Sequence, residues 1–104
     1  MEQPVFLMVE ATPNVHQKEA LESYISQAPA ITKAHGGVPV ATYDVATVLD
    51  NGEKPAVFIV ISFPSREAID KLFNDPKYKA LIPDRDLGFN HLRYFTVNER
   101  IDAN

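Results

Sequence analysis

Cysteine and tryptophan are both missing from this sequence, and glycine is scarce, with four in 104 residues. Without cysteine there are no disulfides, no thiolate catalysis and no cysteine-ligated metals. The same absence fits a reducing compartment, so the expected location is cytoplasmic. The few glycines form no phosphate cradle: Gly36-Gly37 stands outside any Gly-x-Gly-x-x-Gly or Gly-x-x-x-x-Gly-Lys pattern. A Gly-x-Ser-x-Gly elbow is also lacking. No apolar stretch approaches the roughly 20 residues that cross a bilayer. Met1-Glu2-Gln3-Pro4 lacks the basic start of a signal peptide. Ten Lys and Arg against fourteen Asp and Glu leave a net charge of −4, with the cations scattered. A nucleic-acid partner, which needs a clustered basic surface, is not expected. The three histidines, His16, His35 and His91, form no paired ligand spacing, so neither a metal nor a cofactor is expected.

What is present begins with Ala56–Phe63, the longest apolar, β-branched run, which reads as a buried strand. Pro64 stops it and Ser65 caps a helix over Arg66–Asn74, with Ile69, Leu72 and Phe73 as its buried stripe. Asp75-Pro76 restarts a shorter helical segment carrying Tyr78 and Leu81. Upstream, Val5–Val9 reads as a short strand ended by Glu10 and a loop over Ala11-Thr12-Pro13-Asn14. Asn14 is the expected N-cap of a first helix with Leu21, Tyr24, Ile25 and Ala28 on one face. Pro29 should kink that helix, and Gly36 should end it in a left-handed cap. Val38–Leu49 reads as a second strand, Asn51-Gly52 as a hairpin turn, Pro83–Asn90 as a loop, and His91–Glu99 as a fourth strand. The tail, Arg100–Asn104, is expected to be loose.

The order is βαββαβ, an α+β arrangement of ferredoxin-like type with a four-stranded antiparallel sheet, in one domain with its core over about residues 5–99. Crossover rules put the first and third strands in the centre and the second and fourth at the edges. The two central strands are the two that are apolar on both faces. Helices cover only one face of such a sheet, so the other exposes either Phe6 and Met8 or Val5, Leu7 and Val9. A patch of that kind needs a cover, and a second copy of the chain supplies one: a homodimer packed sheet against sheet is expected.

Tyr24, Pro29, Gly36-Gly37, Phe63-Pro64-Ser65 with Ala68, Pro76-Lys77-Tyr78 and Arg85 together resemble the DUF1330 family, over roughly Val5 to Glu99. The resemblance implies a small bacterial protein with a dimeric α/β barrel and no established activity. Its wider superfamily, with cofactor-independent monooxygenases, muconolactone-isomerase-like enzymes and haem-binding relatives, implies a pocket without naming its chemistry. Two departures stand out. Ser62 takes the place of an acidic residue common before the Phe-Pro-Ser turn, and Thr42 that of an arginine common after the glycine pair. Both are polar positions that could face the cavity.

Arg85, in Pro83-Asp84-Arg85-Asp86, could clamp a carboxylate or an enolate-like oxygen. The plainer reading pairs it with Asp84, Asp86 or a helix C-terminus. Tyr43, Tyr78 and Tyr94 could line a pocket or could simply fill the core, and Tyr78 reads as structural because its segment must pack down after Pro76. His91 and Arg93 share a strand face and could form an acid–base and anion-binding pair beside Arg85, or only the wet end of an edge strand. Two functions follow. In one, Arg85, His91 and Tyr43 act on a small organic ligand held by Arg93, Tyr94, Thr42 and Ser62, in an oxygenase- or isomerase-like reaction without a cofactor. In the other, the same residues fill a non-catalytic dimeric binding or accessory protein.

Overall fold

The computed structural model describes residues 3–100. Of the expected loose tail, Arg100–Asn104, residues 101–104 lie outside the described residues. Four strands, β1 (Val5–Pro13), β2 (Val38–Asp44), β3 (Val57–Phe63) and β4 (Phe89–Val97), form one antiparallel sheet in the order β2-β3-β1-β4. The helices are α1 (Lys18–Ala34), α2 (Arg66–Asn74), α3 (Pro76–Lys79) and α4 (Ile82–Gly88). The βαββαβ order and the central placement of β1 and β3 are those read from the sequence. No described helix is long and apolar enough to cross a membrane.

Alternation on the central strands sorts the core. Leu7, Val9 and Ala11 of β1 point to the helices and are buried, and in register beside them run Ile61, Ile59 and Val57 of β3. Ile69 and Leu72 bring the apolar stripe of α2 down onto this face, joined by Phe63 and Tyr78. Burial of each such side chain stabilises the fold by roughly 1.5–3 kcal/mol. The cap of α2 is the expected one: the Ser65 hydroxyl accepts from the Ala68 amide at 3.1 Å. Gly36, at φ 88°, takes the left-handed turn after α1.

Four local expectations are corrected. β1 does not end at Glu10. It runs to Pro13, because Ala11 and Thr12 still have partners on β4 and Ala11 also on β3. Asn14 does not cap α1: its carboxamide oxygen accepts from the His16 amide and its own amide donates to Gly88, so the chain makes a turn and the helix starts at Lys18. The link from β2 to β3 is no tight hairpin. Asn51 does adopt positive φ, at 64°, but β2 ends at Asp44 and residues 45–56 form a wide loop with Leu49 exposed. Residues 83–90, expected as loop, are not one: Ile82–Gly88 form α4 and β4 begins at Phe89. Pro83 is tolerated there because an amide in the first turn has no intrahelical acceptor to lose.

α4 matters because it docks on α1. The Ser23 hydroxyl donates to Asp84 at 2.6 Å, and Gly88 lies so close that a Cβ there would stand 2.9 Å from the Leu21 Cα. α1 thus packs on α4 and reaches the sheet through Tyr24, whose ring meets Phe89 of β4 and whose hydroxyl meets Tyr94.

Candidate functional site

A cavity of about 680 Å³ lies between α1 and the helix-facing side of the sheet. Leu7, Val9, Ile59, Ile61 and Leu72 are among its apolar walls. Its more exposed lining residues, Pro29, Lys33, Val38, Pro39 and Thr42, place the mouth between α1 and the edge strand β2.

At the far end three tyrosines from three elements meet: Tyr24 of α1, Tyr78 of α3 and Tyr94 of β4. Their phenol oxygens form a closed triangle, with Tyr24–Tyr78 at 2.9 Å, Tyr78–Tyr94 at 3.0 Å and Tyr24–Tyr94 at 3.1 Å. The rings are held edge-on by Phe73, 5.2 Å from Tyr78 and 5.1 Å from Tyr94, and by Phe89, 5.7 Å from Tyr24. Each hydroxyl has one proton and two lone pairs, so the closed triangle uses all three protons, and donating to a ligand oxygen opens one of its sides. Burial pushes the Tyr24 phenol far above its usual value of 10, and the neighbouring phenols add to the shift. Tyr94 is raised as well, chiefly by burial. Both are neutral donors at physiological pH, not bases.

Arg85 backs the triangle from α4. Its Nη1 donates to the Tyr78 oxygen at 3.3 Å, and its guanidinium lies 5.9 Å from the ring centres of Tyr78 and Tyr94. Burial opposes its charge, but the hydrogen bonds to Tyr78 and Asp86 more than offset this and keep it a cation. Asp86, at 3.3 Å from Nε, is the partner that the plainer reading named, while Asp84 is taken by Ser23. Arg85 does not line the large cavity. With Asp86, Phe89, Leu92 and Tyr94 it borders a smaller cleft of about 370 Å³, and Tyr94 forms part of both walls.

The residues singled out in the sequence are therefore divided. Arg85, Tyr94 and Thr42 lie on the helix side. His91, Arg93, Tyr43 and Ser62 lie on the open face, in register with Thr12, Glu10, Phe58 and Phe6. His91 is hydrogen-bonded to Glu10, and Arg93 stacks over Phe95 at 4.7 Å. Neither stands beside Arg85, and Tyr43 does not reach the cavity. Ser62 and Thr42 face opposite sides, so only Thr42 belongs to the cavity wall. The sequence reading missed Tyr24 as a site residue and favoured packing over a pocket role for Tyr78. Tyr24 did show on the inner face of α1, but nothing local pointed to its two partners. Among the described residues no cluster of His, Asp and Glu is arranged to hold a metal ion.

The model of a family described as "Domain of unknown function (DUF1330)" matches residues 4–97. No curated protein matches the chain in sequence. Among solved structures, a protein of unknown function from Rhodopseudomonas palustris superposes with TM-score 0.82 at 16% identity, covering 98% of this chain and 86% of that one. A protein from Mycobacterium tuberculosis gives TM-score 0.64 at 18% identity, covering 98% and 100%. A dabb family protein with a ferredoxin-like fold from Mesorhizobium loti gives 0.62 at 12%, covering 94% and 99%. At these identities the likeness is one of fold.

Proposed function

The chain belongs to the DUF1330 family, and from that premise we propose that it is a small-molecule pocket protein. Its ligand has an apolar body and an oxygen head that docks on the tyrosine triangle. The observation that carries this reading is the triangle itself: three phenols, 2.9–3.1 Å apart, at one end of a largely apolar cavity and backed by an arginine. Pockets of this size and make-up, apolar walls with a few convergent polar groups, suit drug-sized organic ligands. A carbonyl, hydroxyl or phenolic oxygen would accept from one phenol and feel the Arg85 charge through the network.

Binding with polarisation fits the lining better than acid–base catalysis. No carboxylate or imidazole is among the residues described around the cavity, so proton abstraction from carbon has no base there. The enzyme reading, oxygenase- or isomerase-like, keeps one observation in its favour. Arg85 behind the phenols would stabilise an oxyanion developing on the bound oxygen.

The proposed assembly is a homodimer packed sheet to sheet. The face away from the helices carries Phe6, Met8, Phe58, Val60 and Phe95, all only half-buried in the single chain. A symmetric second copy covers this face with its own. The proposed location is the cytoplasm, on the lack of cysteine.

The test is native mass spectrometry of freshly purified protein, followed by thermal shift against small phenols, ketones and alcohols. The expected result is a dimer with a reproducible bound mass, or a Tm raised by members of the panel and no longer raised in Tyr94→Phe. A protein that carries nothing and whose Tm no compound moves overturns the pocket reading.

A further inference from the structure

The polar groups of the cavity are segregated. Besides the three tyrosines, its polar lining residues are Thr32, Lys33 and Thr42, and these lie at the mouth. Two backbone spans separate the tyrosines from these residues, one across the sheet to Thr42 and one along α1 to Lys33. Thr42, Ile59, Val9 and Tyr94 are successive register partners across β2, β3, β1 and β4. That row spans three strand spacings, about 14 Å. Along α1, Tyr24 and Lys33 are nine residues apart, which at the helical rise is again about 14 Å. Between the two ends the wall is aliphatic.

Lys33 is the one charged side chain among the residues described around the cavity. It sits in the last turn of α1, exposed, with no ion-pair partner among the described residues. An ionised carboxylate placed there keeps its contact with water, so it meets a cation without being stripped of hydration. At the buried end the same carboxylate would have to be desolvated, whereas a neutral hydroxyl or carbonyl oxygen suits the phenol donors. We infer that the cavity selects an elongated ligand polar at both ends, a hydroxy- or oxo-carboxylate. Its carboxylate pairs with Lys33, and its hydroxyl or carbonyl oxygen docks on Tyr24, Tyr78 and Tyr94. The inference rests on the pocket reading above and adds the second recognition point and the ligand class.

Calorimetric titration with decanol, decanoate and ω-hydroxydecanoate tests it on the wild type, Lys33→Met, Lys33→Arg and Tyr24→Phe. ω-Hydroxydecanoate should bind tightest, and added salt should weaken only the two acids. Lys33→Met should weaken both acids roughly fivefold, the scale of an exposed ion pair, leave decanol unchanged, and be rescued by Lys33→Arg. Tyr24→Phe, which keeps the ring, should weaken the two ligands that carry a hydroxyl. If decanol binds in a Tyr24-dependent way but ω-hydroxydecanoate binds no tighter, or Lys33→Met changes nothing, the two-ended inference falls and the pocket stands. If none of the three binds, both fall.

Discussion

At the scale of single residues, the unusual feature is that two of the four tyrosines cannot ionise in the ordinary range. Tyr24 and Tyr94 have phenols raised well above 10 by burial. A group whose folded pKa exceeds its unfolded value contributes stability that is whole below the unfolded pKa and is lost as pH climbs toward the folded one. The expected outcome is that absorbance of tyrosinate from Tyr24 and Tyr94 appears only with alkaline unfolding, which begins above about pH 10. Tyr24→Phe should reduce that alkaline loss, as read from Tm against pH. Asp75 has the opposite sign. Its carboxyl is held below the usual range, first by the hydrogen bond from His35 at 2.7 Å and then by the Lys77 amide. Its contribution is present above the unfolded value near 3.8 and disappears as pH falls through the lower folded value. Asp75→Asn should therefore have a lower Tm than the wild type at neutral pH, with the gap closing below about pH 4.

Among the elements, α4 decides most about the site, since it carries Arg85 and docks on α1, which carries Tyr24. Its contact with α1 depends on Gly88, which has room for no Cβ. Gly88→Ala should push the two helices apart and destabilise the fold by roughly 1–3 kcal/mol, the usual cost of overpacking, measured by urea unfolding. The same displacement should weaken ligand uptake, because Tyr24 and Arg85 ride on the two helices that separate. By contrast, α2 is anchored through Ser65, away from the cavity polar groups. Ser65→Ala should cost about 1 kcal/mol and leave ligand binding unchanged.

For the whole molecule, the consequential surface is the open face of the sheet. Phe6, Met8, Phe58, Val60 and Phe95 form an apolar field there, edged by Glu10, His91 and Arg93. A charge at its centre would have to be desolvated twice in a symmetric pair. Val60→Glu should convert a wild-type dimer to monomer in sedimentation equilibrium, with its far-ultraviolet circular dichroism unchanged. A wild type already monomeric at micromolar concentration would overturn the sheet-to-sheet assembly.

Much of this architecture was legible in residue order alone. The two-faced apolar strands named themselves as central, and Pro64-Ser65 marked the start of α2 to the residue, because those signals are local and agree with the packing. α4 was not legible: its sequence Ile82-Pro83-Asp84-Arg85-Asp86-Leu87-Gly88 has the composition of a loop and becomes a helix by docking on α1. Facing was legible only where strands stay in step. Strict alternation on β2 puts Val38 and Thr42 on one side, yet the register shifts between Pro39 and Ala41. One extra residue inverts the two-residue period, so Val38 pairs with Ser62 of the open face while Thr42 turns to the cavity wall. The site itself belonged to the tertiary structure. Tyr24, Tyr78 and Tyr94 lie 54, 70 and 16 residues apart pairwise, and none bears a local mark of the other two. Sequence by itself determined the strands, the helices other than α4 and their order, since those follow from short-range periodicity and turn chemistry. Only the folded chain decided which phenols meet, because a hydrogen-bonded triangle across three elements depends on the distances at which helices stand from a sheet, and no local pattern encodes them.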